Sequence, residues 1–220
     1  MNYLNWPISK IATEIPGATA LFFAHRINFC CQGHLVLSDV IEKRNIDREE
    51  IISDIEVLLS RQTAIDYHNL SNKELVEHIL TRYHRVHRVQ LEELIRLSER
   101  VEEVHFDKPN CPNGLANHLK NMYVELEDHM QKEELILFPM LQADTIPAMV
   151  SGPISVMMAD HEAHIAEIEK IYQLTNDVTL HAGACNTWTA LYLGLQAFIS
   201  DLNMHIHIEN AILFARVEGR

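Results

Sequence analysis

An all-α fold built around a four-helix bundle follows from three observations. The 220-residue chain has only seven glycines and seven prolines, period-two alternation of apolar residues is rare in it, and one ten-residue stretch occurs twice. His129-Met-Gln-Lys-Glu133-Glu-Leu-Ile-Leu-Phe138 is matched by His205-Ile-His-Ile-Glu209-Asn-Ala-Ile-Leu-Phe214, with His, Glu, Ile, Leu and Phe at the same five offsets. In a helix, i and i+4 lie on one face about a turn apart, so each copy directs an imidazole and a carboxylate the same way. The spacing alone is not specific. With 14 His and 31 acidic residues in 220, roughly two His-x-x-x-acid pairs arise by chance. The matched flanks carry the argument.

The elements follow in order. Residues 1–59 form a first, small helical unit. Ile8, Ile11, Ala12 and Ile15 predict a short helix ending before Pro16, and Ala18 to Ala24 a second. Arg26 to His34, with its Asn and Gly, reads as a turn carrying Cys30 and Cys31. Leu35 to Arg44 and Asp47 to Leu59 read as further helices, the latter with an acidic first turn that suits the helix dipole. The pattern lapses over 60–70, the expected linker, and residues 71–220 form the bundle. Ser71-Asn-Lys-Glu74 is a capping box opening a long helix that fades around Val104, before Pro109 and Pro112. Leu115 to Met140 is the next, with a break or bend expected at Pro139. Ile146 to Pro153 reads as a loop, and Ile154 to Leu174 and Thr187 to Arg216 as the last two helices.

On a helical wheel, Met122, Leu126, Ile136, Leu137 and Met140 share the face of His129 and Glu133. Leu195, Phe198, Leu202, Ile212 and Leu213 share that of His205 and Glu209. A solvated His–Glu pair belongs on the polar face, whereas these lie on the apolar one. Burying a carboxylate without compensation costs several kcal/mol, and a shared metal site supplies the compensation. The repeat extends further. His84-x-x-His87 precedes His129 much as His161-x-x-His164 precedes His205, so each half reads as a helical hairpin, and four helices with inward His and Glu form a core able to hold two metals.

His161 lies centrally on its face, with His164 towards the edge; His84 and His87 are both plausible on theirs. His207 falls off the apolar face and reads as surface, and His118 is about three turns from His129, too far to share a metal with it. Glu125, a turn above His129, is a candidate for guiding metal or protons. Cys111 and Cys185 have no evident His partner and read as incidental. Without thiolates the donor set disfavours structural zinc and iron–sulfur clusters, and imidazole with carboxylate suits iron first and manganese next.

Composition excludes several classes. Net charge is −13 with no long basic stretch, which argues against nucleic acid or anionic lipid as the main partner. No apolar run approaches a membrane span. The N-terminal stretch lacks a basic segment followed by an apolar one, and four cysteines, two of them adjacent, are not a secreted disulfide framework. The expected compartment is the cytoplasm. No G-x-S-x-G, Walker-type loop or dinucleotide fingerprint occurs.

The residues resemble the hemerythrin-like di-iron proteins of the Repair of Iron Centres group, the ScdA/YtfE type. The resemblance runs through nearly the whole chain. It is most specific at Arg82-Tyr83-His84, at His129-x-x-x-Glu133-Glu with Ile136-Leu137-Phe138-Pro139, at Gly152-Pro153-Ile154-Ser155-Val156-Met157 before His161, and at His205-x-x-x-Glu209-Asn with Leu213-Phe214. It implies His84, His129, His161 and His205 as iron ligands and Glu133 and Glu209 as bridging carboxylates. Two irons per chain, with oxo and carboxylate bridges, are then expected, and His87 becomes a residue supporting the ligands from behind.

The first unit resembles the group's ScdA N-terminal domain, whose signature is a cysteine pair followed by two glycines. Here the run is Cys30-Cys31-Gln32-Gly33, which would strain Gln32 if that position required positive φ. The resemblance further implies repair of iron–sulfur clusters damaged by nitric oxide or oxidants, with the di-iron centre as iron source and Cys30 and Cys31 as redox or iron-transfer thiols. Damaged iron–sulfur proteins or cluster-assembly proteins are the implied partners, the chain being a monomer or homodimer. Reduction of NO to N2O at the same centre is the alternative, and an O2- or NO-binding sensor a third reading.

Overall fold

The computed structural model describes residues 3–15, 18–27, 29, 32–60 and 66–219. The regular structure of the described residues is helical, with a single isolated bridge between Pro7 and Val36 and no strand among them. The chain divides into two compact units, Met1–Ser71 with Asn203–Arg220, and Asn72–Leu202.

In the first unit, α1 (Ile8–Glu14), α2 (Ala18–Ala24), α3 (Leu37–Arg44) and α4 (Arg48–Ser60) close over Ile8, Ile11, Phe22, Phe29, Leu37, Ile51 and Ile55. Asn45 ends α3 in the left-handed region (φ 53), which a short amide side chain tolerates. The Asp47 carboxylate then opens α4 by accepting from the Glu49 and Glu50 N–H groups at 2.8 and 3.1 Å. The backbone angle at Gln32, where the family signature has a glycine, involves Cys31 and so lies outside the described residues. Gly33 is the position that needs one: a Cβ there would sit 2.8 Å from both the Phe29 carbonyl oxygen and the Ser9 Cβ. Cys30 and Cys31, and the middle of the expected linker (61–65), lie outside the described residues. Beyond it, Tyr67–Asn69 is a 3-10 turn capped by Asp66. Its carbonyls and that of Leu70 accept from the Arg216 guanidinium at 2.6 to 2.8 Å.

The second unit contains α5 (Asn72–Ile79), α6 (Arg85–His105), α7 (Leu115–Lys132), α8 (Phe138–Leu141), α9 (Ser151–Thr175) and α10 (Asn186–Ile208) up to Leu202. α5 and α6 are one long helix interrupted by a π turn at Leu80–His84, and α7 and α8 another, interrupted at Glu133–Leu137. Side-chain ties fix antiparallel neighbours. Arg88 meets Glu127 and Lys120 meets Glu99 between α6 and α7, His118 and His129 meet Glu167 and Asp160 between α7 and α9, and Arg82 meets Asp201 between the π turn ahead of α6 and α10. These helices form an antiparallel four-helix bundle. Helix α9 starts at Ser151, within the expected loop, because Gly152 and Pro153 fall in its first turn, where a missing N–H costs nothing. Among the described residues, no helix is long and apolar enough to cross a membrane.

Two expectations about faces fail. Ile136, placed on the face of His129 and Glu133, is 54% exposed, whereas Leu137, Phe138 and Leu141 are buried. The π turn inserts one extra residue, so the apolar set after Glu133 moves one position along the chain. His207, read as surface, is buried. Its ring meets that of Phe29 edge to face at 5.1 Å within the first unit, and burial lowers its pKa to about 4. A wheel drawn for one helix cannot anticipate that second neighbour.

Candidate metal centre

Each π turn coincides with a candidate ligand. Leu80–His84 ends on His84, Glu133–Leu137 begins on Glu133, and a third, Glu209–Phe214 after α10, begins on Glu209 before α11 (Ala215–Glu218). Such turns cost backbone regularity and recur at functional sites. At Glu133 the benefit is visible. In an α-helix consecutive side chains diverge by about 100°, yet Glu133 Oε2 lies 3.3 Å from His84 Nε2 and Glu134 Oε1 lies 2.8 Å from His84 Nδ1. Adjacent glutamates thus address both nitrogens of one imidazole.

Within the second unit the structure brings His84, His129, Glu133 and His161 together, all buried. Glu133 Oε2 is 3.3 Å from both His84 Nε2 and His129 Nε2, and its Oε1 is 4.0 Å from His161 Nε2. His129 Nε2 and His161 Nε2 are 3.1 Å apart. Metal–nitrogen bonds of about 2.0–2.1 Å separate neighbouring ligand atoms by roughly 3 Å, the spacing found here. His129, Glu133 and His161 offer ligand atoms within 4.8 Å of one another. His205 and Glu209 fall in the first unit as an equally buried pair, Nε2 to Oε1 3.1 Å.

Tautomers support the same reading. Glu134 accepts from His84 Nδ1, and the His84 hydrogen bond, then the Arg88 guanidinium, hold its carboxyl below the usual carboxylate range. Arg88 is itself fixed between Glu134 (3.0 Å) and Glu127 (2.7 Å). With its proton on Nδ1, His84 turns the Nε2 lone pair towards Glu133. Lone pair facing carboxylate is repulsive unless a cation lies between them. Asp160 stands 3.4 Å from His129 Nδ1 in the same relation, with Lys132 at 3.5 Å. The donor set, neutral imidazoles and carboxylates without thiolate, is compatible with iron.

Other candidates fare differently. His87 is buried, but its Nδ1 pairs with Gln90 at 3.2 Å and its ring packs on Tyr83 and Phe198. Glu125 is exposed on α7. His164, expected at the edge, is 3% exposed, and burial, followed by His129 and His161, lowers its pKa to about 3. Cys185, read as having no His partner, has His105 Nε2 3.3 Å from its Sγ. Glu134, Arg88 and Asp160 escaped the sequence reading. The signal was there for two of them, since Arg88 follows His84 by four residues and Glu134 follows Glu133 directly.

The π register yields a prediction. Leu135 is 75% exposed, so its deletion removes no core contact and returns Glu133–Leu137 to α register. The variant is expected to keep its helicity, measured by circular dichroism, and to lose most of its metal. Full metal retention would mean that the extra residue does not position Glu133.

A helical bundle with inward-facing histidines and glutamates is a cation-binding bundle, and comparison with known proteins identifies which. Residues 75–217 match the family model described as the hemerythrin HHE cation binding domain, and residues 4–59 match the ScdA-type N-terminal domain, described as a domain of unknown function (DUF542). The iron-sulfur cluster repair protein YtfE of Yersinia pseudotuberculosis serotype O:1b is 44% identical over 217 residues, covering 98% of each chain. A probable iron-sulfur cluster repair protein of Haemophilus influenzae is 41% identical over 220 residues, covering 99% of this chain and 98% of its own. The chain belongs to the ScdA/YtfE family of hemerythrin-like proteins.

Proposed function

We propose that this protein repairs iron–sulfur clusters damaged by nitrosative or oxidative stress, and that it does so by supplying iron from a non-haem di-iron centre. The observation that carries the reading is Glu133, a fully buried carboxylate set among three imidazoles at 3.3 to 4.0 Å. The proposed ligands are His84, His129, His161 and His205, with Glu133 and Glu209 bridging two ions. The sequence repeat supports pairing the two halves in this way, and the names of the relatives support the repair role.

Iron held there would supply an exchangeable cation with two accessible oxidation states. The chain's own residues account for holding and releasing it. Glu134 and Asp160 fix the proton on the far nitrogen of His84 and His129, keeping each Nε2 available as a donor atom. Neutral imidazole and carboxylate donors exchange iron more readily than thiolates would. Residues 1–59 are proposed as a separate domain carrying the transfer thiols Cys30 and Cys31, with 60–70 as linker and 71–220 as the iron-binding part. The proposed compartment is the cytoplasm, and the proposed acceptors are damaged iron–sulfur proteins or the proteins that rebuild their clusters.

The test is reactivation of an NO-damaged iron–sulfur enzyme by the iron-loaded and the metal-free protein, with iron followed by an isotope label. Label should appear in the recovered cluster only with the loaded protein. Recovery without transfer of label, or equal recovery with the metal-free protein, would contradict iron supply.

A further inference from the structure

His164 is a buried imidazole that the proposed ligand set does not use. It lies one helical turn beyond His161 on α9, three residues along, so both rings point to the same side. The His129 ring meets both edge to face, His161 at 4.8 Å and His164 at 5.0 Å. The nitrogens of His129 are engaged elsewhere, Nε2 towards His161 and Glu133 and Nδ1 towards Asp160. His164 therefore meets it through ring packing alone. Both His164 nitrogens are buried and have no hydrogen-bond partner among the described residues. Leaving a buried polar group unsatisfied costs on the order of 1–3 kcal/mol, and a leucine would fill a ring-packing position without that cost. An imidazole kept there is explained by something it binds.

We propose that His164 is a hydrogen-bonding group for a small exogenous ligand, a molecule of two or three heavy atoms or a water, taken up beside the His129–His161 pair. This rests on the reading of that pair as metal ligands. A neutral imidazole offers one N–H donor and one acceptor nitrogen, so it orients a ligand that presents an oxygen or nitrogen terminus. Its place is in the second unit next to His129 and His161. It would thus favour ligand uptake where His129 and His161 would hold an ion.

The experiment uses the full chain, iron-loaded, with azide as the probe, titrated by its absorption. It compares the unmodified protein with His164→Leu and His164→Gln. Iron content is measured in each, and the metal-free forms are melted thermally. The expected result is full iron content in both variants, azide binding about tenfold weaker in His164→Leu, as for loss of one hydrogen bond to an anion, and substantial recovery in His164→Gln. Metal-free His164→Leu should melt no lower than the unmodified protein, because it sheds two orphaned polar atoms. Unchanged azide affinity in an iron-replete His164→Leu overturns the proposal and leaves the metal centre standing. Loss of iron from both variants also overturns it, making His164 part of the metal-holding set. An unmodified chain that takes up no iron overturns the metal-centre reading and this one with it.

Discussion

Glu133→Leu is expected to fold, to melt at or above the temperature of the metal-free unmodified protein, and to hold little iron. The opposite signs arise from the same burial. Glu133 is fully buried, and its ionised form is tolerated there only if a cation compensates it. Replacing a buried charge by an apolar side chain of similar volume is often neutral or stabilising by about 1–4 kcal/mol, so the apoprotein loses a liability. The loaded protein loses the group that reaches His84, His129 and His161 at once, so both ions of the proposed centre should be disturbed. Glu209→Leu is expected to behave alike, by the sequence repeat. Iron analysis beside a thermal melt reads both effects. A double variant that stays fully loaded would remove the bridging role, and one that merely unfolds would locate the importance of Glu133 in the apo fold.

The second large effect concerns the thiols. Cys30→Ser with Cys31→Ser should leave iron content and absorption unchanged, because imidazoles and carboxylates complete the proposed ligand set. Reactivation of an NO-damaged iron–sulfur enzyme should nevertheless fall sharply. Thiolates are nucleophiles and soft ligands, so an adjacent pair can form a mixed disulfide or pass iron to an acceptor. The same variant separates the two functional readings. Were the chain chiefly a nitric oxide reductase, turnover with an artificial electron donor would survive the substitution, because that chemistry would stay among the imidazoles and carboxylates. Loss of iron from the serine variant would add the cysteines to the metal site, and undiminished repair would make them structural.

The repeat made the helical bundle and the burial of both His-x-x-x-Glu pairs legible, since matched flanks at His129 and His205 cannot both be accidents of composition. His161 was legible too, because α9 has a regular wheel with no π turn. What escaped has a common physical cause. A wheel assumes 3.6 residues per turn, and the extra residue at Glu133–Leu137 turned Ile136 outward and let Glu134 reach His84. At Leu80–His84 another π turn precedes the His84/His87 choice that periodicity left open, and packing sends His84 to Glu133 and His87 to Tyr83 and Phe198. His207 was misread for a different reason. Its buried ring packs against Phe29, far away in sequence, and no local pattern encodes such a neighbour. Gly33 shows the converse, a requirement that the sequence hints at but only the close approach of Ser9 and the Phe29 carbonyl explains.

The most direct test is metal analysis, with an absorption spectrum, of the full chain freshly purified in air. Four imidazoles and two bridging carboxylates suffice for a pair of ions, so about two irons per chain are predicted, with the absorption of an oxo- and carboxylate-bridged ferric pair. A single zinc per chain with no iron would contradict the account.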